Sequence, residues 1–506
     1  MSDATDMVGP TADAAGPARS ADDFSPHPAA DPAAGARRLH AFRDDALGYD
    51  DATGLAERLR ARDVSPTELV DAATERCALV DPTLGALVFT DLDRARARAR
   101  RVEHSEMSAP LAGVPSAFKD AVMVEGAPMR LGSPAVPDTP ALFDGAYARA
   151  FRATGLNPLG ITAMPPFGWT AATERQGGLV TRNPWDTGRT SGGSSGGSAA
   201  LVAAGAIPIA HANDGGGSIR IPAAATGLVG FKPSRGRHPD ETFTRRMPIP
   251  IISQGVVSRS VRDTALFFTA FEAGYRPRGV PSIGRIANAP SRRLRIGLVA
   301  HSPAGDGTDP ATLSVLHEAA GRLAGLGHEI IPAAAPVPPG FREDFVAYWG
   351  LLALSTSASG RSLFDPDFDP ARLDPFTVGL ARMSRRRLAA IPAHLYRLAR
   401  ARRRFDAGFG DIDVYLSPVV AHETPEVGYL DADQPFETHL ERVSNWVTFT
   451  PLQNIAGSPA VSLPAGHAPD GMPIGVHLSA RRGEDRILLE LASEYEAAHP
   501  FAHIWS

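Results

Sequence analysis

Apolar residues recur along the chain in two styles, at helical spacing and in short continuous runs, and that mixture predicts helices interleaved with buried strands. Ser65-Pro66-Thr67-Glu68 opens a helix, because the Ser65 hydroxyl can cap, Pro66 suits the first turn and Glu68 completes a capping box. Leu69, Ala72, Ala73 and Arg76 continue it at helical spacing. Residues 91–103 alternate Arg with Ala and read as an exposed helix with a charged face. Further on, 294–299 reads as a buried strand, Asp309-Pro310 opens a helix ending near Gly327, and 329–331 reads as the next strand. That β-α-β unit points to an α/β architecture. Strands over 414–416, 460–463 and 473–478 and a closing helix over 485–497 repeat the style, with no internal repeat of fixed period.

Residues 1–44 lack this patterning. They are rich in Ala, Pro, Asp and Gly and cannot repay the entropy of ordering, so a disordered tail is expected there. The remainder, 45–506, has the apolar content for a large core: the chain is 43% hydrophobic and 21% charged. A net charge of -5 gives no global basic field, which disfavours nucleic acid as a partner and favours small-molecule chemistry. The Arg-rich stretch over 382–404 reads as solvated surface. A single cysteine, Cys77, excludes an internal disulfide framework and a cysteine-rich metal site, and it fits a reducing compartment; a cytoplasmic address is expected. The start of the chain lacks the basic and apolar parts of a secretory signal, and no apolar run reaches about 18 residues, so neither export nor a membrane span is expected. The fifteen histidines show no ligand spacing such as H-E-x-x-H, and no metal is expected.

The chemistry concentrates between 111 and 233, where Gly, Ser and Pro crowd between short apolar segments. Thr190-Ser191-Gly192-Gly193-Ser194-Ser195-Gly196-Gly197-Ser198 precedes an Ala-rich helical segment. As a phosphate cradle it lacks the Gly-Lys-Ser/Thr ending. As a G-x-S-x-G nucleophile elbow it lacks the preceding strand, since 182–188 reads as loop. A flexible Gly/Ser linker is the plain alternative. The linker reading gives way to a second cluster, Asp214-Gly215-Gly216-Gly217-Ser218-Ile219-Arg220, with Phe118-Lys119-Asp120 upstream.

Together these segments resemble the amidase signature family. The likeness runs from about Phe42 to the end, and its centre is unbroken from Thr181-Arg182-Asn183-Pro184-Trp185 through Gly192 to Ser198 and on to Gly230-Phe231-Lys232-Pro233. The resemblance implies one α/β domain with a central mixed sheet flanked by helices, hydrolysis of carboxamide bonds through an acyl-enzyme, and no cofactor. It assigns Ser218 as nucleophile, Ser194 as relay and Lys119 as general base, with a cis peptide between Gly193 and Ser194. The physical logic agrees. A serine hydroxyl needs a neighbouring base, and a lysine serves only if burial leaves it neutral; Lys119 sits beside Phe118 and Ala121-Val122. The N–H groups of Gly215, Gly216, Gly217 and Ser218 can converge as an oxyanion hole. Asp214 and Arg220 are expected to pair and hold that loop, Ser195 and Ser198 to support it by hydrogen bonds, and His211 to be structural.

Asn213 stands where the family commonly has Thr, and with 259–263 and 300–306 it makes the chain most similar to the branch of bacterial 6-aminohexanoate cyclic dimer hydrolases. Ile161, Ala163 and Pro166 replace Lys, Asn and Glu of a family segment near the acyl pocket. An apolar site for hydrophobic, aryl or oligomeric amides, linear or cyclic, is therefore expected, with esters and carbamates as further substrates. Residues 235–410 are expected to cover the site and shape its specificity. The partner implied is a small-molecule amide, with a homodimer as the assembly considered. Two alternatives stand beside this: an amidotransferase-type subunit acting on glutamyl-tRNA, and a non-catalytic scaffold that binds partners.

Overall fold

The computed structural model describes residues 38–104, 108–286 and 289–506. Most of the expected tail, up to residue 37, lies outside these residues. Residues 38–44 are packed: Ala41 and Phe42 are buried, the Ala41 N–H donates to Ala204 O at 2.8 Å, and the Phe42 ring lies 3.9 Å from that of Trp505.

Thirteen strands form in the described residues: β1 (Leu87–Thr90), β2 (Pro115–Lys119), β3 (Asn157–Thr162), β4 (Glu174–Arg175), β5 (Leu179–Val180), β6 (Ile209–Asp214), β7 (Val229–Lys232), β8 (Ser253–Ser258), β9 (Arg295–Leu298), β10 (Glu329–Pro332), β11 (Val414–Pro418), β12 (Ala460–His467) and β13 (Pro473–Ser479). Eight of them make one mixed sheet in the order β10-β9-β11-β13-β12-β7-β8-β6. The β-α-β unit read from the sequence is its parallel edge: β9 pairs in parallel with β10 and β11, and the crossover helix Pro310–Gly325 packs on the sheet. The other pairings in this sheet are antiparallel. The architecture is thus a single α/β domain with a large mixed sheet flanked by helices.

A separate three-stranded sheet, β1-β3-β2, stands beside the β6 edge. Side-chain bonds join them: Ser116 Oγ donates to Ile209 O at 2.9 Å, the Lys119 N–H donates to His211 Nδ1 at 3.1 Å, and Lys119 Nζ meets Asn213 Oδ1 at 2.6 Å. His211 is buried, and burial pushes its pKa down to about 3, so the ring is neutral with its proton on Nε2, donated to Gln254 Oε1 at 2.9 Å. This is the structural histidine of the sequence reading, and it fixes where β2 ends.

The capping box at Ser65 and Glu68 forms and starts the helix Pro66–Leu84. The Arg-Ala alternation forms the helix Leu92–Glu103, of which only Ala95 and Ala99 are buried. The arginine-rich stretch folds as the C-terminal end of Pro375–Arg386 and most of Ile391–Gly408; Phe376, Leu380, Leu398 and Phe405 face inward while most arginines stay exposed. Both helices pack on the helix Phe341–Leu363 and make a lobe over the sheet.

A buried ion pair ties the sheet to the closing helix Asp485–Ala498. The Arg237 guanidinium donates to both Asp485 oxygens at 2.9 and 2.8 Å, and the Ser234 N–H donates to Oδ1 at 2.8 Å. Removing one partner of such a pair strands the other without water. Asp485→Ala is expected to lower the unfolding free energy by about 3 kcal/mol, read as a fall in the urea midpoint; a loss below about 1 kcal/mol would mean that Glu272, the second partner of Arg237, suffices.

Candidate active site

Lys119 is the last residue of β2 and is fully buried. Its Nζ has three oxygen neighbours: Ser194 Oγ at 2.7 Å, Ser195 Oγ at 2.9 Å and Asn213 Oδ1 at 2.6 Å. Burial drives its pKa well below the ordinary lysine value, against the opposing pull of the Asp214 and Asp120 carboxylates. A neutral amine has two N–H donors and one lone pair. The Ser195 hydroxyl gives its own proton to Asn213 O at 3.1 Å, so it accepts from Nζ. The Asn213 amide oxygen can only accept. In the neutral form both N–H groups are therefore committed, and the lone pair faces the Ser194 hydroxyl.

The Gly/Ser run that carries Ser194 is buried from Ser191 to Ser198, unlike a linker. No strand leads into it, as the elbow reading would need; 182–190 is loop with two isolated bridges. The Gly193–Ser194 peptide bond is cis. Gly192 has φ +75°, and a Cβ there would approach Pro222 Cα to 2.8 Å, so glycine is required at this turn. The helix Gly196–Ala203 then runs inward, and Ser198 Oγ donates to His211 O at 2.7 Å.

Ser218 lies between β6 and the helix Arg220–Thr226, and its hydroxyl makes no hydrogen bond to a protein group among the described residues. The loop before it is bolted by Asp214. That carboxylate is fully buried and accepts from Gly217 N at 2.7 Å, Ile219 N at 3.2 Å, Arg220 Nε and Nη2 at 2.9 Å each, and Asn454 Nδ2 at 2.8 Å. Burial pushes its pKa up, but the Arg220 charge and hydrogen bonds, helped by Lys232 and Asn454, outweigh this and hold it below the ordinary carboxylate range. Arg220 is completed by Asn454 Oδ1 at 2.7 Å and His477 Nε2 at 3.0 Å; a guanidinium only donates, so Nε2 accepts and the ring is neutral.

This bolt corrects the expected oxyanion hole. Gly217 is not a free donor, because its N–H is already given to Asp214. The N–H groups of Gly215, Gly216 and Ser218 have no partner among the described residues, and all three residues line the adjoining cavity.

That cavity measures about 380 Å³ and is walled by Met164, Phe167, Trp169, Ile252, Phe345 and Trp349, with Ser194, Asn213 and Ser218 also facing it. Ile161, Ala163 and Pro166, from which an apolar site was expected, lie in the core beside it and do not line it; Met164 and Phe167 of the same segment do. Many lining residues come from 235–410, in particular the helix Phe341–Leu363. Lys119 sits beneath Ser194, and Asp214, Arg220 and Ser195 lie behind the wall. Asn454 and His477 have no signal in local spacing, whereas Asn213 stood out as a departure from the family pattern. No cluster of three metal-ligating side chains, and no helix long and apolar enough to cross a membrane, occurs among the described residues.

Comparison with known proteins matches the Amidase family model over residues 68–489. The chain belongs to the amidase signature family. AmiC of Mycobacterium bovis is 46% identical over 468 residues, covering 92% of this chain and 98% of that protein. The 6-aminohexanoate-cyclic-dimer hydrolase of Paenarthrobacter ureafaciens is 33% identical over 481 residues, covering 90% and 95%. The solved structure of a 6-aminohexanoate cyclic dimer hydrolase complexed with substrate superposes with a TM-score of 0.80 at 30% identity, over 91% of this chain and 98% of that one. In this amidase Lys119, Ser194 and Ser218 stand on β2, the Gly/Ser run and the loop after β6.

Placing a carboxylate 2.6 Å from Nζ would favour the ammonium form. Asn213→Asp is expected to move the ascending limb of kcat/KM against pH upward by about one pH unit or more. An unmoved limb would contradict a functional contact between Asn213 and Lys119.

Proposed function

We propose that this amidase hydrolyses carboxamides of apolar acids or aryl amines through an acyl-enzyme on Ser218. The observation that carries the reading is the buried Lys119, its pKa driven well down by desolvation and its Nζ 2.7 Å from Ser194 Oγ, under an apolar cavity that Ser218 faces. In the first half-reaction the Ser218 oxygen attacks the amide carbon, its proton passes to Ser194 Oγ, and the Ser194 proton passes to the lone pair of Lys119. The N–H groups of Gly215, Gly216 and Ser218 receive the negative oxygen. When the C–N bond breaks, the amine leaves with a proton returned from the Lys119 ammonium through Ser194. Water repeats the sequence on the ester and frees the acid and Ser218. Esters and carbamates enter the same route, since acylation does not require a nitrogen leaving group.

The apolar wall supports hydrophobic, aryl or oligomeric amides, in keeping with a relative named for a cyclic dimer of 6-aminohexanoate. An amidotransferase-type role on glutamyl-tRNA draws less support, because no carboxylate lines the described cavity to receive a free α-ammonium.

Intact-mass analysis after a fluorophosphonate should give one adduct, absent in Ser218→Ala and formed at least about a hundredfold more slowly in Lys119→Met. An adduct on Ser194 would overturn the assignment of the nucleophile. The base must be neutral, so the rate of the unsubstituted enzyme falls as pH drops through the Lys119 pKa; kcat/KM should show an ascending limb well below about 10.4, the ordinary lysine value. A limb near that ordinary value would overturn Lys119 as base.

A further inference from the structure

Resting on the reading of Ser218 as nucleophile, we propose that the amide substrate carries a carboxylate on its apolar body, and that Arg246 and Arg342 receive it at the outer wall of the cavity. Among the residues lining this cavity these two are the only ionisable side chains apart from Tyr348, and both are cationic. The chain as a whole is acidic, with 51 basic against 56 acidic residues, so a cavity wall with positive charge and no carboxylate runs against the general balance.

Neither arginine has the carboxylate partner that the three most deeply buried arginines among the described residues have, whereas Arg259, also buried, is held by backbone carbonyls. Arg76, Arg220 and Arg237 are each paired with a carboxylate. Arg342 is half-buried and Arg246 exposed, yet neither makes an ion pair or a side-chain hydrogen bond to another group among the described residues. Their position relates them to the chemistry. Arg342 and Phe345 lie three residues apart on the helix Phe341–Leu363 and share a face, about one turn or 5 Å apart along the axis. Phe345 closes on the loop before Ser218, its Cζ 3.3 Å from where a Cβ on Gly216 would stand. Arg246 reaches the cavity from a different segment, just after the short helix Thr242–Arg245. An extended substrate held by Met164, Phe167 and Trp349 therefore runs from a dry reacting centre to two unmatched guanidinium groups. Such a fork pairs well with a carboxylate, and poorly with an ammonium or a second cation.

The test uses matched 4-nitroanilides and anilides that differ only in charge. One pair is 7-carboxyheptanoyl-4-nitroanilide against 8-hydroxyoctanoyl-4-nitroanilide, with the variable group on the acyl side. The other is N-octanoyl-4-aminobenzoate against N-octanoyl-4-aminobenzyl alcohol, with it on the amine side. In the wild type the acid of at least one pair should have kcat/KM about tenfold or more above its alcohol, mainly through KM. That preference should shrink with added salt, and the acid-to-alcohol ratio should fall to about one in Arg246→Met/Arg342→Met, the acid losing about tenfold more than the alcohol. Equal rates within both pairs in the wild type, or a preference that survives in the double variant, would overturn the proposal. Should the double variant not fold, the wild-type ratio and its salt dependence decide. Fluorophosphonate labelling separates the two levels of failure: a labelled Ser218 with no charge preference sinks the carboxylate proposal alone, while no labelling and no cleavage of any probe sinks the hydrolase reading with it.

Discussion

A lysine held wholly out of water is the constraint on which the rest of this structure turns. Lys119 can accept a proton at ordinary pH only if its charged form is made costly, and complete burial does that. Burial by itself would leave three unsatisfied positions on the nitrogen. Ser195 and Asn213 take the two N–H groups, and the geometry leaves the lone pair for Ser194. The site is thus defined by valence as much as by distance, and a side chain at 213 that could only donate would disturb it as surely as a charge.

The fold serves this constraint from two sides. The small sheet delivers Lys119 at the end of β2, and the neutral His211 ring locks that strand to the edge of the large sheet. From the other side, β6 ends in Asp214, whose buried carboxylate gathers Arg220, Asn454 and two N–H groups of the loop that carries Ser218. The same carboxylate opposes part of the burial cost of a charge on Lys119. The lobe built on Phe341–Leu363 then covers the loop with aromatic rings, which excludes water and strengthens every electrostatic contact beneath.

Much of this was legible in the sequence. Capping residues marked the helix starting at Pro66, and apolar runs marked β9 through β10 and the last two strands, because local hydrogen bonding and periodicity decide such elements. The serines, glycines and Lys119 were legible as an ordered set, since close backbone approach admits little else at those positions. The free Gly217 donor was misjudged because a carboxylate three residues away captured its N–H, a choice made by the loop's curvature. The apolar substitutions at 161, 163 and 166 predicted the right character of the pocket from residues that do not reach it.

By itself, the sequence determined which residue types could perform acyl transfer, the order in which they occur, and the α/β character of the scaffold. These follow from short-range chemistry and from periodicity. Only the tertiary structure decided that Asn213 touches Lys119 Nζ, that Asn454 and His477 complete the Arg220 bolt from more than two hundred residues away, and that two arginines of the covering segments stand unmatched on a cavity wall. Contacts of that kind depend on how separate elements meet in space, and no local pattern encodes the partner that burial will impose.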